Sequence, residues 1–212
     1  MAFYGPLPHP PTDPFAFYVW EVLGTKTTPG RRDTALNALR RIPAMTPESL
    51  RRVGRGRLET IVRQCGPFVD ERLSALDAGI DVFRRQRDFT GRLKARLRLA
   101  WLSSRDLPHL GHAGALRLLL FAGPHTLVPV DQDIARLAVR LGLVPPHANL
   151  RRLTREVRRR LGGLLPKDSS GRRRAVQYLF HHAHTGCIET DPHCGVCPLR
   201  RECRWGNRGM GE

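Results

Sequence analysis

The sequence predicts an all-α protein. Three observations carry that expectation. Apolar residues recur at three- and four-residue intervals, no segment reads as a convincing β-hairpin, and proline or glycine interrupts the periodic runs. Phe15 to Leu23 is apolar and compact and reads as a buried helix entered after Pro14. From Arg32 to Arg41, Leu36 and Leu39 lie on one side and arginines on the other. Pro43 and Pro47 punctuate, and Thr46 before Pro47 has the form of an N-cap with proline at the first helical position. Gly56 to Gln64 spaces Leu58, Ile61 and Val62 helically, until Gly66-Pro67 breaks the run.

Glu71 to Arg87 carries Leu73, Leu76, Ile80 and Phe83, and Leu93 to Trp101 is a further amphipathic run. Leu116 to Phe121 is almost wholly apolar and belongs at the centre of a core. After Asp131, the residues Ile134, Leu137, Ala138 and Leu141 line one face. Leu150, Leu153, Val157 and Leu161 then stripe a helix whose other face carries Arg151, Arg152, Arg155, Arg158, Arg159 and Arg160. That face is either a grip on phosphates or a solvated charge run. Ala175 to His182 is the last helix and leads into a cysteine-rich end.

The length of 212 residues fits one large domain or two small ones, and the 41% hydrophobic share argues against wholesale disorder. No run of about 18 apolar residues is present, which argues against a membrane span. Met1 to Pro14 is proline-rich and lacks the charged start and apolar stretch of a secretory signal. A cytoplasmic protein is therefore expected. Lys plus Arg number 36 against 19 Asp plus Glu, a net charge of +17. Only Lys26, Lys94 and Lys167 are lysines, so 33 of the cations are arginine. A chain this basic calls for an anionic partner, and nucleic acid is the usual one.

Cys187, Cys194, Cys197 and Cys203 fall within 17 residues in the spacing C-x6-C-x2-C-x5-C. In a reducing compartment such clustering points to metal ligation rather than disulfides. Four cysteines also satisfy tetrahedral zinc. Zinc sites favour paired C-x2-C knuckles, however, and only Cys194 and Cys197 form one; the long first gap suits a 4Fe–4S cluster, whose irons are spread apart. Pro192, Gly195 and Pro198 supply turns for the loop. Cys65 stands far off and reads as a small buried hydrophobe. Mid-chain, Leu107-Pro108-His109-Leu110-Gly111-His112-Ala113-Gly114-Ala115 forms a glycine-containing link between two helices. It is either an ordinary connection or a phosphate site that reads no bases.

Taken together, these motifs resemble the helix-hairpin-helix DNA glycosylases of the endonuclease III branch. That family has a hairpin of the form L-P-G-[IV]-G-x-x-x-A, an aspartate in a Val-Asp pair about eighteen residues later, and this same cysteine spacing around a 4Fe–4S cluster. The likeness runs from about Phe15 to Cys203, through Leu107-Pro108, Leu110-Gly111, Val130-Asp131 and the four cysteines. It implies a two-lobed all-helical fold. Residues 15–125 would form a six-helix barrel with the hairpin, and residues 1–14 with 126–212 would form the iron–sulfur lobe, with DNA bound across the cleft.

The resemblance further implies a base-excision DNA N-glycosylase acting as a monomer on duplex DNA that carries a lesion or mismatch, in the cytoplasm at the nucleoid. Asp131 would be catalytic, stabilising the oxocarbenium-like sugar or activating water; as a residue before a helical run it also reads as an N-cap. Lys26, the hairpin residues Leu110, Gly111, His112, Ala113 and Gly114, and Arg200, Arg201 and Arg204 of the cysteine loop would contact DNA. Departures narrow the reading. Ala113 stands where bifunctional members carry the Schiff-base lysine, so a water-using, monofunctional enzyme is expected. The alternatives are a DNA-binding paralogue with weak or no catalysis, and a glycosylase/lyase using another amine. His109 replaces the usual hairpin glycine, Asp133 stands where endonuclease III has histidine, and the proline-rich start leaves little room for a first helix of the cluster lobe.

Overall fold

Nine α-helices and no strand are found among the described residues, which in this computed structural model are 3–42, 44–85, 107 and 109–207. The Leu93–Trp101 run, Pro43 and Pro108 lie outside them. The chain divides into two compact units, His9–His125 and Met1–Pro8 together with Thr126–Glu212.

The first unit holds α1 (Pro14–Gly24), α2 (Pro29–Arg40), α3 (Pro47–Val53), α4 (Arg55–Val62), α5 (Val69–Arg85) and α6 (Gly111–Phe121). One device starts three of these helices. Asp13, Thr28 and Thr46 each precede a proline, and each side chain accepts a hydrogen bond from a first-turn N–H, that of Ala16, Arg31 and Ser49 respectively. Proline there loses nothing, because its missing N–H would have had no intrahelical acceptor. Gly54, at φ 81°, separates α3 from α4, and Gly66, at φ 87°, ends the short 3-10 turn Arg63–Cys65.

The core of this unit gathers Phe17, Tyr18, Leu23, Leu39, Leu50, Leu76 and Ile80. Tyr18 is fully buried, and its hydroxyl donates to the Ala75 carbonyl at 2.7 Å. Burial pushes its phenol well above the usual range. The ring passes so close to α5 that a Cβ on Gly79 would lie 2.0 Å from it. Glu21 of α1 and Arg117 of α6 form a two-pronged ion pair at 2.7 and 2.8 Å. Arg72 is buried without a carboxylate; its guanidinium donates to the carbonyls of Thr25 and Pro67 and so ties two loops to α5. Cys65 is fully buried, and burial pushes its thiol up.

The second unit holds α7 (Gln132–Leu141), α8 (Leu150–Leu164), α9 (Ser169–Thr185) and the 3-10 turns Cys194–Val196 and Arg200–Glu202. Val130, Ile134, Leu137, Ala138, Leu153, Val157, Leu161 and Ala183 share its core. Helix α9 starts six residues before the expected Ala175. Asp168 caps it, with Oδ1 accepting from the Gly171 N–H at 2.6 Å. The apolar stripe fails there because Arg172 occupies a buried position, donating to the Pro166 carbonyl at 2.6 Å. Ahead of α1 the proline-rich start forms no helix over its described residues, 3–13. It runs along α9 instead, where Tyr178 donates to the Gly5 carbonyl at 2.8 Å and Gln177 to the Pro8 carbonyl at 2.5 Å.

The approach of Tyr18 to Gly79 yields a test. Gly79→Ala forces a displaced ring or a shifted helix, and the expected loss is about 1–3 kcal/mol in urea unfolding. Gly56→Ala, where an added Cβ meets nothing within 4 Å, serves as the helix-propensity control and leaves stability equal or higher.

Candidate catalytic and metal centre

Asp131 ends an extended segment whose Val128 and Val130 side chains are buried in the core. It is the N-cap of α7: Oδ1 accepts from the Ile134 N–H at 2.9 Å. A carboxylate at this end of a helix is stabilised by the orphan N–H groups and the macrodipole. The capping role and the proposed chemical role therefore fall on one side chain. Asp133, noted in the sequence only as a departure, and His184, not singled out there, join it. His184, in the last turn of α9, approaches the Asp133 carboxylate at 2.9 Å, and ligand atoms of Asp131, Asp133 and His184 all lie within 4.8 Å of one another.

The other ring nitrogen of His184 is 2.7 Å from the Phe180 carbonyl. Both nitrogens thus face acceptors, an arrangement that the doubly protonated imidazolium alone satisfies. Burial opposes that charge, but the bonds to Asp133 and the Phe180 carbonyl, with the fields of Asp131 and Asp133, outweigh it and raise the His184 pKa. The hydrogen bond from His184 holds Asp133 down to about 2 against burial, helped by Arg136. Asp133, noted in the sequence as a departure from the endonuclease III pattern, is thus one half of a charge pair.

Arg136 extends the network. Besides bonding Asp133, it donates to the Ala183 carbonyl at 3.0 Å and the Cys187 carbonyl at 3.1 Å. One turn on, Arg140 donates to the Ile188 carbonyl at 2.6 Å and the Glu189 carbonyl at 2.8 Å, with Nη1 3.5 Å from the Cys187 sulfur. The Arg140 carbonyl in turn accepts from the Trp205 N–H at 2.9 Å and the Cys203 thiol at 3.4 Å. Helix α7 therefore grips the cysteine loop from both ends.

Cys187, Cys194, Cys197 and Cys203 are free thiols that line one concavity together with Arg140 and His182. Among the described residues, the group whose ligand atoms close to within 4.8 Å is the Asp131 set and not the cysteines. A tetrahedral zinc and a 4Fe–4S cluster are both held by four thiolates. Burial and the three neighbouring cysteines push the Cys197 thiol up, partly offset by a backbone N–H bond, so four thiolates here call for a cation. The Gly206 N–H donates to the Cys203 sulfur at 3.4 Å, and His182 Nε2 lies 3.8 Å from the Cys197 sulfur. The donor set and its surroundings fit an iron–sulfur cluster.

Tyr4 from the chain start bonds Nδ1 of the buried His182, and burial with the fields of Cys197 and Cys187 pushes its phenol to about 12. Arg201 and Arg204 are exposed on the cysteine loop, the Arg204 stem lying over Gly142 at the end of α7. Arg200 is half-buried, and its Nε has no hydrogen-bond partner. In the first unit His109 takes φ 68°, the left-handed conformation that its glycine counterpart would adopt freely, and Gly111 follows at φ 60°. Leu110 is buried, Gly111 and His112 are exposed, and Ala113 is half-buried in the first turn of α6. A Cβ on Gly114 would meet the Leu110 side chain at 3.1 Å. Lys26, exposed and at φ 49°, sets its ammonium 4.4 Å over the ring of Phe68, which is 39% exposed. Phe68 carried no signal in the sequence beyond following Gly66-Pro67.

The Asp133–His184 pair makes a pH signature. The folded Asp133 pKa of about 2 lies below the usual value of about 3.9, so its contribution is present above pH ~4 and fades as pH falls toward 2. The raised His184 pKa gives a contribution complete below pH ~6.5, lost as pH rises through the folded value. With side chains 44% and 34% exposed, the pair contributes no more than about 1 kcal/mol. Thermal melts from pH 3 to 9 should show both limbs in the wild type and a flatter profile in Asp133→Asn.

No family model matches the chain, and no curated protein matches it in sequence. Solved structures do match in three dimensions. A non-covalent endonuclease III–DNA complex superposes with a TM-score of 0.71 at 20% identity, over 94% of this chain and 87% of that one. A trapped endonuclease III–DNA covalent intermediate gives 0.70 at 20% identity, over 93% and 86%. A thermostable thymine-DNA glycosylase gives 0.68 at 20% identity, also over 93% and 86%. The chain has the all-helical fold of the endonuclease III-like helix-hairpin-helix glycosylases.

Proposed function

We propose that the chain is a base-excision DNA N-glycosylase that acts through water, with Asp131 as its catalytic carboxylate. The observation that carries this reading is Asp131 fixed at the start of α7, within an endonuclease III fold whose hairpin helix bears Ala113 and no amine. Backbone N–H groups at the start of α6, Lys26, and Arg200, Arg201 and Arg204 would hold phosphates. The target nucleotide leaves the stack before chemistry, since its glycosidic bond is out of reach within the duplex. As the C1′–N bond lengthens, positive charge builds on the sugar and the Asp131 carboxylate stabilises it. Water adds at C1′, its proton passing to the carboxylate or to solvent, and the base departs with the bonding electrons. With alanine at position 113, no imine forms there and the abasic strand stays intact.

Cys187, Cys194, Cys197 and Cys203 would hold a 4Fe–4S cluster. Its contribution when bound is to cross-link four chain positions and neutralise their thiolates. The chain's own residues do the rest: Arg140 clamps the loop, and Arg201 and Arg204 stay exposed on it.

Single-lesion and single-mismatch duplexes, incubated with purified protein, test the reading. Abasic product that breaks only after alkali is expected on at least one substrate, and Asp131→Asn should lower the single-turnover rate by roughly 10²–10⁴-fold. Tight binding with no product on any duplex would leave a DNA-binding paralogue, and a borohydride-trapped adduct would replace water with an amine. The purified protein should be brown, with about four irons and four sulfides per chain. A colourless, zinc-loaded protein would defeat the cluster assignment.

A further inference from the structure

The arginine-rich helix α8 takes no part in the site described above, yet its exposed face is the most concentrated charge in the second unit. Its apolar stripe is committed to the core: Leu153, Val157 and Leu161 are 9%, 0% and 5% exposed. At 100° per residue, Arg151, Arg152, Arg155 and Arg159 fall within an arc of about 100° on the opposite side. All four are exposed, and neither an ion pair nor a side-chain hydrogen bond engages their guanidiniums among the described residues. Arg158 is the exception that defines the edge, half-buried and donating to the Val128 carbonyl at 3.3 Å. Glu156 is the only acidic residue in the helix.

We propose that this face of α8 is a second, sequence-independent docking surface for the phosphodiester backbone of duplex DNA. A helix rises about 1.5 Å per residue, so Arg151 to Arg159 spans about 12 Å. One DNA strand presents a phosphate every 3.4 Å of axis, so that span faces three to four phosphates. Four unneutralised guanidiniums repel one another when free and release condensed counterions when paired with phosphate; both effects favour the complex. Guanidinium forks suit phosphate oxygens better than ammonium points do, in keeping with a helix that has arginine at every basic position. A membrane surface fits less well. A basic amphipathic helix binds lipid by burying its apolar face, and here that face already lies in the protein core. Leu150 and Leu164, 49% and 54% exposed, stand only at the two ends.

The surface can be tested on the full chain with lesion-free duplex, so its outcome is separate from whether any base is excised. Fluorescence anisotropy across a salt series should show the Arg152→Ala/Arg155→Ala/Arg159→Ala variant with a log K against log salt slope shallower by about 2–3 and binding at least about tenfold weaker at 0.1 M salt. The corresponding triple lysine variant should keep most of the slope. Phenylglyoxal modification of the wild type, mapped by mass spectrometry, should find these arginines protected by DNA, and it needs no variant to fold. An unchanged slope and affinity in the alanine variant, or arginines equally modified with and without DNA, overturns the proposal. So does binding to phosphatidylglycerol vesicles that the alanine variant loses while its DNA slope stays intact.

Discussion

Two guanidiniums one turn apart on α7 hold the second unit together. Arg136 and Arg140 reach from that helix to the carbonyls of Ala183, Cys187, Ile188 and Glu189, where α9 ends and the cysteine loop begins. The last carbonyls of any helix lack intrahelical partners and carry the negative end of its dipole. Arginine from a neighbouring helix answers both needs, and hydrogen bonds to a charged donor contribute about 1.5–3 kcal/mol each. These contacts hold the start of the cysteine loop, as the Arg140 carbonyl holds its end at Cys203 and Trp205. With them, the start of the loop is fixed to the helix whose first residue is capped by Asp131.

Charge is handled differently in different places, and the differences explain which residues do what. The Glu21–Arg117 pair is 10% and 17% exposed and joins α1 to α6 inside the first unit. Arg72 is buried against carbonyls, so its cation is used to satisfy loops rather than to meet a carboxylate. Asp133 collects His184 and Arg136, leaving one carboxylate between two cations beside Asp131. On α8, Arg158 meets the Val128 carbonyl, while Arg151, Arg152, Arg155 and Arg159 have no such partners among the described residues. Six arginines against one glutamate leave α8 with a local excess of five positive charges.

Much of this was legible in the chain. The helical runs follow from apolar spacing, and Thr46-Pro47 marks a helix start, whereas α2 begins at Pro29, three residues before the expected Arg32, under a Thr28 cap. The same spacing failed at the start of α9 because Arg172 sits where an apolar residue was expected, its charge met by carbonyls only the folded chain supplies. Cysteine spacing marked the loop as a candidate metal site, and the family resemblance singled out Asp131 as a candidate catalytic residue. His184 was invisible, since nothing in a run of histidines tells which ring will face a carboxylate 51 positions away; that follows only from how α9 packs on α7. Phe68 was missed for a related reason: its exposure beside Lys26 depends on a left-handed backbone at both residues, which no side-chain pattern announces.

The placement of Asp131 has a mechanical consequence. Arg140 lies nine residues along the chain from it, about 13 Å along a helix axis. Over that distance α7 joins the cysteine loop at one end to the Asp131 carboxylate at the other. A carboxylate that stabilises a developing cation is effective when it is held in place beforehand and does not reorganise during the reaction. The Ile134 N–H fixes one oxygen of Asp131, buried Val128 and Val130 fix the approach to it, and Arg136 ties the next turn to α9. The cysteine loop lies at the far end of the same helix, so in the function proposed above its contribution need not be chemical. Holding the far end of α7 still is enough to make the geometry at Asp131 depend on the loop that carries the four cysteines.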